Sequence, residues 1–168
     1  MKFIVQAVLL TAALAGPSMA QQLKIGFINS QKAVLETAEI KKAQGELEAK
    51  FKPRQEKVVL LQKELEELQN RLNSGKLDAQ ATQDAQLSGQ RKQRELTRLT
   101  EDLQADVDRD RNEVLQRCGL RMQQIVKQLA EQKTLDVVFD QSNTVYLKPA
   151  LDFTAEATAA YDKAYPAK

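Results

Sequence analysis

The chain has 168 residues, with 25 Lys or Arg against 23 Asp or Glu, and neither histidine nor tryptophan. So balanced a charge and so few aromatic residues argue against a nucleic-acid binder, which needs a basic surface and stacking platforms. Cys118 is the single cysteine, so no disulfide can close within one chain.

Residues 1–20 have the layout of a cleaved export signal. Lys2 precedes an apolar run from Phe3 to Ala15, and Ser18-Met19-Ala20 places small residues before a cut after Ala20. The run is short for a membrane span, and no cysteine sits at the cut to carry lipid. The expected mature chain begins at Gln21 and works outside the cytoplasm. Leu23-Lys24-Ile25-Gly26-Phe27-Ile28 then reads as one short strand, with Ile25 and Phe27 on the same face. Asn29-Ser30 offers a helix cap for Ala33, Val34 and Leu35, and Thr37 offers a second start.

From Thr37 to about Gln132 the pattern is helical. Val58, Leu61, Leu65, Leu68 and Leu72 form the a/d seam of a heptad repeat. Backwards, the same register reaches Phe51, Leu47 and Ile40, with Arg54 and Gln44 as polar interruptions. The pattern stops at Asn73-Ser74-Gly75 and resumes after Asp78, a candidate N-cap. Beyond it the beat changes to eleven residues, in Leu96, Val107, Cys118 and Leu129, and again in Leu103, Val114 and Ile125. Such spacing predicts a nearly straight helix. Two long helices joined by a short break pack antiparallel, so a helical hairpin is expected. At about 1.5 Å per residue its arms reach roughly 50 Å or more.

Gly45, Pro53 and Gly119 are candidate hinges in this arm. Proline inside a helix loses a hydrogen bond and clashes with the preceding turn. A kinked continuous helix is favoured at Lys52-Pro53 because the seam continues across it; the alternative is a break into two helices. The tip, near residues 73–88, is rich in Gln, Ala, Asp and Ser and is expected to fray. From Arg71 to Arg98 six basic residues face three acidic ones, which makes Arg91, Lys92, Arg94 and Arg98 candidates for contact with an acidic partner or anionic lipid. Asp106, Asp108 and Asp110 have calcium-loop spacing, but Arg111 and Arg117 stand where glycine and glutamate are required. They predict a solvated, weakly packed section, and no metal site. Cys118 falls on the seam as a small apolar residue, with a bridge between subunits as the alternative.

Near Gln132 the period shortens. Leu135–Asp140 and Thr144-Val145-Tyr146-Leu147 are β-rich runs around Gln141-Ser142-Asn143, which predicts a β-hairpin. Asp152 can cap a last helix with Phe153, Ala157, Ala160, Tyr161 and Ala164 on one face. The chain therefore divides into an arm, 37–133, and a small β-containing body, 21–36 with 134–168. The fold class is α+β and mostly α. A body this small, with open strand edges and no disulfide, is expected to be completed by other copies of the chain.

The strand Lys24-Ile25-Gly26-Phe27-Ile28-Asn29, the hairpin arm, Leu135-Asp136-Val137-Val138-Phe139-Asp140 and Asp152-Phe153-Thr154-Ala155 together resemble the Skp/OmpH family of periplasmic chaperones. The resemblance spans essentially the whole mature chain, and the two strand motifs are its specific part. It implies a jellyfish-like homotrimer whose β-barrel body is shared among subunits. The arms would surround a cavity that holds unfolded outer-membrane proteins without ATP and delivers them for assembly. By similarity Ile25, Phe27, Val137, Phe139, Val145 and Leu147 lie in the trimerising body, and Arg91, Lys92 and Arg94 are candidates for lipopolysaccharide contact. No cofactor is implied. The chain departs from strongly basic family members in being nearly neutral. A structural coiled-coil tether of the envelope is the competing class. An enzyme is not expected, because there is no histidine, no nucleophile elbow and no phosphate-binding glycine loop.

Overall fold

The computed structural model describes residues 23–167; the export signal expected over 1–20 lies outside the described residues. Strand β1 (Ile25–Ile28) leads into a short helix, α1 (Ser30–Leu35). Two long helices follow, α2 (Ala38–Asn73) and α3 (Ala79–Gln132), and then strand β2 (Val137–Asp140) and helix α4 (Thr154–Ala164). The fold is α+β and mostly α: a long helical hairpin standing on a two-stranded sheet. The caps are those the composition suggests. Asn29, Thr37 and Asp78 accept from the backbone N–H groups of Lys32, Ile40 and Ala81, each satisfying a donor that the helix leaves free.

The hairpin closes along the predicted seam. Ile40, Phe51 and Leu61 are buried, and Leu47, Val58, Leu65, Leu68 and Leu72 are partly buried. On α3 all seven residues of the eleven-residue repeat are at least partly covered, and Cys118, Ile125 and Leu129 are buried. Helix α2 runs unbroken through Pro53, so the alternative of two separate helices falls. The tip is tighter than expected. The turn occupies Ser74–Asp78, residues 79–88 are helical, and Ala85 is buried.

Helix α3 has 54 residues against 36 in α2. Arg121 lies beside Glu39 at the root of α2, so the eleven residues from Met122 to Gln132 overshoot that root by roughly 16 Å. This overshoot carries the chain back past β1 to the end where β1 begins. There the Lys24 carbonyl accepts from the Asp136 N–H at 2.8 Å. The second strand must then run the same way as the first. It pairs parallel, with Ile25 opposite Val137 and Phe27 opposite Phe139.

The expected β-hairpin is absent. The Asp140 carboxylate accepts from the Ser142 N–H at 2.9 Å and turns the chain into a 3₁₀ turn (Gln141–Asn143), and Thr144–Leu147 forms no strand. The far edge of β1 is taken by the C-terminal segment, where Phe153 donates to the Phe27 carbonyl at 3.0 Å. Asp152 still serves the last helix, accepting from the Thr154 N–H. On that helix Phe153, Ala157 and Tyr161 are buried and Ala160 is partly so, while Ala164 is exposed.

The core joins Ile28, Ala33 and Ile40 to Phe153, Ala157 and Tyr161, with Cys118, Met122, Ile125 and Leu129 from α3. The base of α3, assigned above to the arm, thus belongs to the body. It enlarges a core that the strands and α4 are too small to build alone.

Candidate assembly face and arm surface

Side chains alternate along a strand, so β1 has two faces. Gly26 and Ile28 turn inward. A Cβ at Gly26 would lie 2.6 Å from Leu135 Cδ1 and 2.8 Å from Phe153 Cε1, so only glycine lets these side chains close on the strand. Ile25 and Phe27 turn outward beside Val137 and Phe139, and the two phenyl rings stand 5.9 Å apart. This outer face is left open, with Phe139 48% exposed. In the following segment Val145 and Tyr146 are exposed and Leu147 is partly buried. Four of the six residues expected in a trimerising body therefore share one apolar face, on which Ile25, Phe27 and Val137 are partly buried and Phe139 is exposed.

The arm root holds a polar hub that the sequence reading missed. Glu39, in the first turn of α2, accepts from Arg121 at 2.8 and 2.9 Å, from Arg117 at 3.1 Å and from the Tyr161 hydroxyl at 2.6 Å. One carboxylate thereby ties α2, α3 and α4 together. Burial works against its charge, but the hydrogen bonds from Tyr161, Arg117 and Arg121 outweigh it and hold the carboxyl below the ordinary glutamate range. The Arg121 guanidinium also stacks 4.7 Å from the Tyr165 ring. Nothing local marks Glu39, because an acidic residue in a first helical turn is ordinary; its partners lie about 80 and 120 residues away. Beside the hub, burial raises the Cys118 thiol above its ordinary value, as suits the apolar role expected of it.

Along the arm, cross-helix ion pairs flank the seam and, at Arg54, take a seam position. Lys50 meets Asp110 and Arg54 meets Asp106, both at 2.6 Å. Lys57 meets Glu95 at 3.3 Å, and Lys92 meets Glu64. Partners on α3 descend as those on α2 climb, as an antiparallel hairpin requires. Of the three aspartates expected to be solvated, only Asp108 is exposed. Asp106 and Asp110 are drawn across the arm, and the polar interruption at Arg54 has a partner. The hydrogen bond from Lys50 holds the Asp110 carboxyl below its ordinary range against the opposing effect of burial, and that from Arg54 does the same for Asp106.

The candidate basic residues do not form one patch. Arg91, Arg94 and Arg98 are exposed and, at helical spacing, share one side of α3. Lys92 turns instead toward α2 and its pair with Glu64. Of the candidate hinges, Gly45 and Gly119 have open space where a Cβ would stand, and Pro53 is exposed. Among the described residues no cluster of three or more His, Cys, Asp or Glu could hold a metal ion, and no helix is long and apolar enough to cross a membrane.

Residues 24–161 match the family described as outer membrane protein (OmpH-like). The Skp-like protein of Pseudomonas aeruginosa is 30% identical over 162 residues, which span 93% of this chain and 95% of that protein. A crystal structure titled as a proposed outer membrane chaperone (OmpH-like) from Caulobacter crescentus superposes with a TM-score of 0.71. It covers 91% of this chain and 90% of that one at 17% identity, a likeness of fold.

Proposed function

The chain belongs to the OmpH-like family, and from that premise we propose that it is a chaperone of the periplasm. It binds unfolded outer-membrane proteins without ATP and keeps them from aggregating until they are assembled. It acts as a homotrimer whose arms enclose the client, after export and removal of residues 1–20. Anionic lipid or lipopolysaccharide contact falls to Arg91, Arg94 and Arg98.

The observation that carries this reading is the open apolar face of the sheet. Phe139 is 48% exposed on a strand pair with an unpaired edge, and Val145, in the segment that follows, is fully exposed. Water-facing apolar surface and a free strand edge both favour burial against further copies, which leaves the arms as the free surface. The arms suit a client without fixed sequence. Val59, Leu60 and Leu87 are about half exposed among charged neighbours, so contacts are weak, numerous and unspecific, and avidity supplies the affinity.

Sedimentation of the mature protein with and without a urea-unfolded porin-like polypeptide tests this. The expected result is an oligomer that keeps the client soluble at near-stoichiometric ratio with no nucleotide added. A well-folded monomer, or an oligomer beside which the client still precipitates, would overturn it; the second outcome is that of a structural tether.

A further inference from the structure

Pro53 is the weak point of α2. It has no N–H to donate, so the Ala49 carbonyl loses its partner one turn back. Phe51, buried beside it at 3% exposure, is the seam residue at that level. Two cations flank the proline, Lys50 three residues before it and Arg54 just after. Both lie over the Phe51 ring, at 5.3 and 5.9 Å. Both then cross to α3, Lys50 to Asp110 and Arg54 to Asp106. On α3, Arg109 bridges the two carboxylates, at 2.8 Å to Asp106 and 3.3 Å to Asp110.

We propose that Lys50–Asp110 and Arg54–Asp106 form an electrostatic clamp across Pro53 that sets whether α2 bends away from α3 at that point. Helix α3 carries no proline and spans the weak point without interruption. Any opening of α2 at Pro53 must lengthen at least one of the two pairs. While both hold, the arm is stiff at this level; when they are screened or neutralised, the missing backbone hydrogen bond becomes a hinge. The pairs are partly open to water, with Lys50 61% and Arg54 34% exposed, so added salt reaches them. Arm stiffness is thus an adjustable property of the protein, governed by ionic conditions and by any charged partner that competes for these groups.

The test uses spin labels on the full mature chain, whose own Cys118 is buried. One pair, Gln62→Cys with Thr97→Cys, reads the arm beyond the proline. A second, Lys41→Cys with Gln116→Cys, reads its root; all four positions are exposed. In Asp106→Asn with Asp110→Asn, the outer distance distribution broadens and shifts to longer distance while the root distribution holds. Adding Pro53→Ala returns the outer distribution to its original width. Asp108→Asn, whose side chain meets only Gln104 within its own helix, changes neither. The unaltered chain behaves like the double variant in ~1 M salt, where the screening length falls to ~3 Å. An unchanged outer distribution in both the double variant and high salt would overturn the proposal. So would broadening that persists with Pro53→Ala, or that Asp108→Asn produces equally.

Discussion

Replacing Glu39 isolates the contribution of the arm root. In Glu39→Ala the Tyr161 hydroxyl, on a residue with 0% exposure, loses its acceptor; a buried polar group left without a partner costs ~1–3 kcal/mol. The two arginines lose their counter-charge too. Removing one member of a fully buried pair costs ~3–5 kcal/mol, but Arg117 and Arg121 are 44% and 35% exposed, so water recovers most of that. A net loss of about 2–3 kcal/mol follows. For a chain of this size it lowers the thermal midpoint by about 5–10 °C. The assay is far-ultraviolet circular dichroism on heating, with protein concentration held fixed because assembly also shifts the midpoint. Tyr161→Phe keeps the ring and should cost about 1 kcal/mol. The two losses should fall short of additive by about 1 kcal/mol in the double variant, since both remove one shared bond. A wild-type midpoint for Glu39→Ala, or strict additivity, would refute the view that this carboxylate joins α4 to the arm.

Gly26→Ala pushes a methyl group into Leu135 and Phe153 and should destabilise by about 1–3 kcal/mol in denaturant titration. Gly45→Ala and Gly119→Ala, with free space at both sites, should do the reverse, each stabilising by up to ~1 kcal/mol. Cys118 should resist a water-soluble thiol reagent in the native protein and react once it is unfolded, as its burial and raised pKa require. Donors from Ser30 and Ser142 hold Asp140 at about 2, and Glu39, Asp106 and Asp110 also lie below their ordinary ranges. A carboxyl depressed by folding stabilises above its unfolded value and stops doing so as pH falls through its folded one. The denaturation midpoint should therefore stay level from pH 7 to about 5 and fall between about pH 4 and pH 2.

The arm was legible because its signal is periodic. Leu61 and Leu65 recur seven residues on as Leu68 and Leu72, and such a repeat specifies which side of a helix must leave water, whatever lies opposite. The caps at Asn29, Thr37 and Asp78 were legible for a similar reason, since each acts on an N–H three residues away. The β-hairpin was misread where that logic fails. Val145 and Tyr146 have strand-forming side chains, but side-chain propensity does not set direction: the Asp140 carboxylate caps a 3₁₀ turn at Gln141–Asn143 that leads the chain off without folding it back on β2, whose outer edge stays free. Two polar residues, one on the seam and one beside it, were misread in the opposite sense. Arg54 and Asp106 look like two separate faults in the packing until the hairpin register brings them to 2.6 Å.

Residue spacing and chemistry alone established that two long helices form, which stripe of each is dry, where the turn falls, and that short strands flank the rod. Each of these is settled within a few turns of chain. Which strands meet and in what direction, how far the body core climbs into α3, and that Glu39 receives Tyr161 from 122 residues away belong to the assembled molecule. They depend on how far each helix carries the chain in space, and that is a sum over the whole arm which no local window contains.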